Sequence, residues 1–241
     1  MDQIKVELQE FMGTDRSIAD AAWTSSLTLN GKGKRSDEDV SKVVRYLIKH
    51  RHSTPIESVV MRFWIKMPIQ TDRQHMTHRI GTHNGMSGRY RTMPTEYYEV
   101  PDDIIGIIEK MPDRQREVNT GLILKGQYDL FEEYYHTCEL ANNLYQAAMI
   151  LAKEAKSTNV ITNDEYKRFR EFYRGILPQN NLTERVTIFN LRSFANYMKL
   201  RNSPHAQPEI RQVAKLMLEE VKKNNVAPEA ISILESVNWE I

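Results

Sequence analysis

Gln74-His75-Met76-Thr77-His78-Arg79-Ile80-Gly81-Thr82-His83-Asn84-Gly85-Met86-Ser87-Gly88-Arg89-Tyr90 places three histidines, two arginines and three glycines within seventeen residues. A core helix is not written this way. Gly81, Gly85 and Gly88 allow the backbone to approach a ligand or to adopt positive φ, and the N–H groups, Ser87 and Arg89 can then gather around an anion such as phosphate.

Upstream, Val59, Met61, Phe63, Ile65 and Met67 alternate with Val60, Arg62, Trp64 and Lys66, the period of a half-buried strand that Pro68 ends. Ile69 to Arg79 reads as a helix, because Gln70, Gln74 and Thr77-His78 recur at three- and four-residue spacings; Gln74 and His78 would then face the loop carrying Ser87. Arg51-His52-Ser53-Thr54-Pro55-Ile56-Glu57-Ser58 is a polar turn in which Pro55 biases Thr54 toward an extended conformation. Ser36, with Asp39 in the capping-box position, opens a helix with Val40, Val43, Val44, Leu47 and Ile48 on one face, ending near His50. Before it, Ile4, Val6 and Leu8 mark a first strand, Ser17 to Trp23 a short helix, and Asn30 to Arg35 a Gly/Lys loop.

Downstream, Tyr97 to Pro101 is extended and Asp102 caps a short helix through Ile104, Ile107 and Ile108. A long amphipathic helix runs from Gln127 to about Lys156 with Leu130, Tyr134, Leu140, Leu144 and Ala148 on its apolar side. Asn163 can cap another through Tyr166, Phe169 and Phe172, ending at Leu177-Pro178 just beyond Arg174. Val186 to Phe189 is a strand leading into Asn190-Leu191-Arg192-Ser193, Asn196 and Arg201, with His205-Ala206-Gln207-Pro208-Glu209 beyond. The arginines and asparagines on that helix suit either an ion-pair network with Glu209 and Glu171 or a ligand site.

Lys+Arg 33 against Asp+Glu 32 leaves a net charge of +1, so no chain-wide field recruits nucleic acid or a membrane surface, and an anion site must be local. The apolar runs fall short of the ~20 residues of a membrane span, and Met1-Asp2-Gln3 does not open a signal peptide, which points to the cytoplasm. No Ser/Gly/Pro-rich linker divides the chain, so one domain over residues 1–241 is expected. Cys138 is the only cysteine, which excludes an internal disulfide; its helical-looking surroundings suit a buried structural thiol better than a nucleophile.

Several of these segments together resemble the flavin-dependent thymidylate synthases. His78-Arg79, seven residues, then Ser87-Gly88-Arg89-Tyr90 is similar to that family's signature; so are Thr54-Pro55 in its turn, Arg174 before Leu177-Pro178, and the Asn190, Arg192, Asn196, Arg201 and His205 block, at unbroken spacing. The resemblance implies an α+β fold, a twisted mainly antiparallel sheet flanked by helices, assembled as a homotetramer with active sites at subunit interfaces. It implies reductive methylation of dUMP to dTMP, with 5,10-methylenetetrahydrofolate as one-carbon donor and FAD reduced by NADPH. By position, Thr54, His78, Arg79, Asn190, Leu191, Arg192, Asn196 and His205 would hold FAD. Gln74, Thr77, Gly85, Met86, Ser87, Gly88, Arg89 and Arg174 would hold dUMP, and Arg201 would polarise its uracil as the catalytic residue.

The chain departs from that pattern in four places, the mildest being Thr82 where a serine is usual. Thr77 replaces the first arginine of the signature, a contact worth roughly 1.5–3 kcal/mol that Arg73, one helical turn earlier, could restore. Gly85 stands where an acidic residue is common, and Pro208 where tryptophan is usual. These changes leave open another pyrimidine nucleotide, a related one-carbon transfer such as hydroxymethylation, or a non-catalytic flavin- or nucleotide-binding relative. A metal hydrolase built on His75, His78 and His83 is a further alternative.

Overall fold

A computed structural model describes residues 3–24, 35–111, 115–117 and 127–240; Asn30 to Lys34 of the Gly/Lys loop lie outside the described residues. The chain forms two compact units, Met86–Leu182 and the pair of segments Asp2–Gly85 and Thr183–Ile241.

The two-segment unit is built on a four-stranded sheet ordered β1 (Lys5–Met12), β2 (Val60–Pro68), β6 (Leu182–Asn190), β3 (Thr82–Gly85). β1 and β2 pair antiparallel, with an irregularity between Leu8 and Glu10, and β3 pairs antiparallel with β6 from Thr82↔Ile188 to Gly85↔Arg185. The alternation in β2 is as the sequence predicts: Met61, Phe63, Ile65 and Met67 are fully buried and their neighbours half-buried. β3 is a correction, since its residues read as loop. Thr-His-Asn-Gly has little strand propensity of its own, and the strand exists because β6, a hundred residues away, offers its edge.

Helix α1 (Asp15–Trp23) begins two residues before the expected Ser17, capped by Thr14. α2 (Asp37–Lys49) has the expected capping box: the Ser36 hydroxyl accepts the Asp39 N–H and the Asp39 side chain returns to the Ser36 backbone. Thr54 is right-handed helical (φ −58°, ψ −45°) rather than extended. Its carbonyl accepts the Glu57 N–H at 3.1 Å in the 3-10 turn Pro55–Ser58, which offsets the steric bias before proline.

α3 (Ile69–Met76) stops three residues short of the expected Arg79. The Thr77 hydroxyl donates back to the Gln74 carbonyl at 2.7 Å, and the His78 N–H donates to His75, i to i−3, instead of continuing the helix. Near the C-terminus come α7 (Leu191–Arg201), α8 (Pro208–Lys223) and α9 (Pro228–Ser236). Pro208 sits in the first turn of α8, where its missing N–H costs nothing.

The unit Met86–Leu182 holds α4 (Asp102–Lys110), the paired short strands β4 (Gln115–Glu117) and β5 (Gln127–Asp129), α5 (Leu130–Ser157) and α6 (Asn163–Tyr173). Two expected caps move by one residue: Pro101 precedes α4 without a side-chain cap, and Thr162, not Asn163, caps α6 through the Glu165 N–H. The apolar face of α5 is also rotated from the expected one. Cys138, Asn142, Tyr145, Ala148, Met149 and Ala152 are buried, whereas Leu140 and Leu144 are exposed. The core there is Tyr145, Ala148 and Met149 with Met93, Phe169, Tyr173, Ile176 and Leu177 against them. Cys138 is free and buried, as its context predicts, and accepts the Asn180 side-chain N–H at 3.0 Å. Among the described residues no helix is long and apolar enough to cross a membrane.

Candidate functional site

β6 runs without a loop into α7, and Asn190 marks the change: its side-chain oxygen accepts the Ser193 N–H at 2.8 Å. The Leu191 N–H donates to the Val59 carbonyl at 2.8 Å and its side chain is fully buried, so the start of α7 is fixed to the sheet. One face of the helix then presents Arg192, Asn196 and Lys199 to a cavity of about 450 Å³, whose walls also include Asn190, Glu57 and Trp239. Arg192 Nη1 donates to Glu57 Oε1 at 2.7 Å. That pair replaces the network with Glu209 that spacing allowed.

At the other end of α7, Arg201 Nη2 donates to the Thr77 hydroxyl at 2.8 Å and to the Gln74 carbonyl at 3.2 Å. Thr77, Gln74 and Arg201 are thus one cluster. Arg201 Nε is buried without a hydrogen-bond partner, a donor left open beside them. The Gln74 side chain donates to Gln207. Thr54, Arg79 and His205 are exposed, and Arg73 is exposed one turn before Thr77.

The three histidines form a hydrogen-bond chain whose polarity is fixed at one end. His83 Nε2 lies 3.0 Å from the His78 carbonyl, which can only accept, so that nitrogen carries the proton. In neutral His83, Nδ1 then accepts the Thr187 O–H (3.2 Å), Thr187 accepts from His75 Nε2 (2.8 Å), and His75 Nδ1 accepts the Tyr197 O–H (2.8 Å). His78 Nε2 donates to the Ser193 carbonyl at 3.1 Å. With both ring nitrogens partnered, His75 and His83 are structural members of the fold. Among the described residues no group of three or more His, Cys, Asp or Glu side chains is arranged to hold a metal ion.

Burial holds His75 well below the ordinary imidazole value, with nearby His83 and Arg185 charges adding to the effect; burial lowers His78 as well, opposed by its bond to Ser193. Below pH ~6.5 the unfolded chain takes up protons that folded His75 refuses, so stability falls as pH drops through that value. The loss reaches about 1.4 kcal/mol per pH unit for each fully excluded proton. Urea midpoints at pH 7.5, 6.5 and 5.5 are expected to be nearly level over the first step and to fall over the second; equal midpoints at all three values contradict this account.

None of Gly81, Gly85 and Gly88 takes positive φ; among the described glycines only Gly13 does. Gly85 instead serves a close approach. A Cβ there would stand 2.8 Å from Arg185 Nη2 and 3.0 Å from Cζ, because Arg185 lies directly across the strand pair. Arg185 is buried and forked onto Asp72, with Nη2 donating to Oδ2 at 2.7 Å and Nε to Oδ1.

In the other unit, the Ser87 hydroxyl accepts the Arg89 N–H at 3.3 Å, and Arg89 Nε pairs with Glu171 Oε1 at 2.6 Å. A Cβ at Gly88 would stand 2.9 Å from Arg174 Cδ, so the bare glycine backbone seats the exposed arginine's stem. Met86 is half-buried.

The cavity includes Glu57, Ile80, Lys199 and Trp239, none of which the sequence singled out as a site residue. Lys199 was legible, since it lies seven residues, two turns, beyond Arg192 on the same helix face. Trp239 reaches the wall from the far end of the chain and carries no local signal.

The family model described as thymidylate synthase complementing protein matches residues 7–229. The flavin-dependent thymidylate synthase of Thermus thermophilus is 31% identical over 223 residues, 92% of this chain and 73% of that protein. The corresponding protein of Thermosipho melanesiensis is 33% identical over 215 residues, 89% of this chain and 83% of its own length. Among solved structures, the UMP/dUMP methylase PolB from Streptomyces cacaoi bound with 5-Br dUMP has the same fold, with a TM-score of 0.69 at 24% identity over 97% of this chain and 95% of that one. The α+β arrangement of an antiparallel sheet with flanking helices, the polar face that α7 turns to its cavity, and a family match over most of the length agree: the chain belongs to the flavin-dependent thymidylate synthase family.

Proposed function

We propose that the chain catalyses reductive methylation of dUMP to dTMP, with FAD as cofactor and 5,10-methylenetetrahydrofolate and NADPH as co-substrates. The observation that carries this reading is the polar face of α7, where Asn190, Arg192 and Asn196 line a cavity of a size suited to part of a nucleotide cofactor. Amides that both donate and accept, beside a guanidinium, fit a polar heterocycle and its phosphates. Thr54, His78, Arg79, Asn190, Leu191, Arg192, Asn196 and His205 are proposed to hold FAD, which supplies the hydride when bound and reduced.

Gln74, Thr77, Gly85, Met86, Ser87, Gly88, Arg89 and Arg174 are proposed dUMP contacts. Ser87 acts as a hydrogen-bonding group: its oxygen is already an acceptor within its own turn, and among the described residues no base is bonded to it. Arg201 is proposed to stabilise charge on the N3/O2 side of uracil, which makes C5 nucleophilic. A guanidinium suits this role because it stays protonated throughout.

A homotetramer is supported by features of the 86–182 unit. Leu140, Leu144 and Leu151 are exposed on α5, beside an apolar cavity of about 410 Å³ bounded by Phe169 and Tyr173.

The deciding experiment incubates purified protein with dUMP, 5,10-methylenetetrahydrofolate, FAD and NADPH and measures product mass. The expected product is dTMP, from protein that is yellow as isolated, bleaches with NADPH and runs as a tetramer in light scattering. A hydroxymethylated nucleotide, or no turnover despite flavin binding, overturns the proposed reaction; a monomer overturns the assembly.

A further inference from the structure

We propose that Lys199 is a further cofactor-binding residue, paired with Glu240 until a phosphate-bearing ligand in the α7 cavity draws it away from that carboxylate. This rests on the flavin reading above and names the residues that would hold the cofactor's anionic part. Arg192 and Lys199 lie on one face of α7, two turns or about 10.5 Å apart along the axis, with Asn196 between them. Each cation carries a carboxylate: Glu57 on Arg192 at 2.7 Å, and Glu240 on Lys199 at 3.3 Å. Both pairs are substantially exposed, so neither is held strongly. A phosphate or pyrophosphate brings more charge than either carboxylate and can displace it.

Glu240 and the indole beside it are delivered by the Schellman cap that ends α9, in which the Asn238 N–H donates to the Glu235 carbonyl at 3.0 Å. After α9, Asn238 and Trp239 both adopt left-handed backbone (φ 50° and 60°), a region that bulky side chains rarely enter. The Trp239 N–H donates to the Leu234 carbonyl at 2.7 Å, and the buried indole meets Phe194 edge to face at 5.9 Å. The turn puts the indole in the cavity wall and carries Glu240 to both Lys199 and Arg51, which donates to its other oxygen at 3.0 Å. A buried indole in the wall, a lysine and a replaceable carboxylate therefore meet at the Lys199 end of the cavity.

The test measures FAD affinity of flavin-stripped full-length protein by quenching of flavin fluorescence. Lys199→Gln is expected to weaken FAD binding about tenfold, the loss of one charge-assisted contact. Glu240→Gln is expected to tighten it about threefold by releasing Lys199. Opposite signs separate this role from a structural one, because loss of a merely structural ion pair would move both variants the same way. Lys199→Gln within twofold of the parent, or both variants weakened alike, overturns the proposal while leaving the flavin reading intact. A parent protein that binds no FAD removes the flavin reading, and this proposal with it.

Discussion

Arg201→Lys is expected to lower turnover at saturating dUMP by about 10² to 10³, on the order of 2.7–4 kcal/mol of lost charge stabilisation. Lysine keeps the positive charge but not the fork. In this chain one arm of the guanidinium is occupied, since Nη2 donates to the Thr77 hydroxyl and the Gln74 carbonyl. Nε is buried and has no partner. An ammonium can reach Thr77 or a ligand, but it cannot hold the first while presenting a planar donor edge to the second. Flavin and dUMP affinities should change far less than turnover, because the loss lies in stabilising charge that develops during reaction. Rapid-mixing measurement of dTMP formation, with binding titrations alongside, checks this. Turnover of Arg201→Lys within about tenfold of the parent would falsify the assigned role.

Asp72→Asn is expected to be the most destabilising conservative change in the region. Asp72 and Arg185 form a buried pair, with side chains 10% and 8% exposed. Removing the carboxylate charge leaves a guanidinium in low dielectric without compensation, a loss of about 3–5 kcal/mol. At 2–4 °C per kcal/mol for a chain of this size, the thermal midpoint should fall by roughly 10 °C. The double variant Asp72→Asn with Arg185→Met should recover part of that loss, since no buried charge is then left alone. Circular dichroism melts of both variants decide it, and a single variant that melts within about 2 °C of the parent rules the account out.

The same pair gives Gly85 a reason to be glycine. Read from the sequence, the residue registers as a carboxylate missing from a pocket. In the fold, Arg185 occupies the volume a side chain at 85 would need. Thr77 gains a reason as well: its hydroxyl is the group onto which Arg201 donates. Two departures from the family pattern are thus matched to side chains a hundred or more residues away, and neither by itself requires a different substrate.

What the sequence alone determined is local or periodic. The Ser36 capping box, the two-residue alternation of β2 and the dense polar motifs all follow from neighbours within about four residues, where sterics and hydrogen bonding act directly. Tertiary structure decided the rest. Thr82–Gly85 becomes a strand only because β6 offers its edge, and β6 itself buries Thr183, Arg185 and Thr187, polar residues that hide its alternation. The end of α3 at Met76, the rotation of the buried face of α5, and the meeting of Trp239 and Lys199 at one cavity all depend on contacts between distant segments. Short-range propensities differ by tenths of a kcal/mol, whereas burying a side chain or pairing a strand is worth more, so the long-range contacts prevail wherever the two disagree.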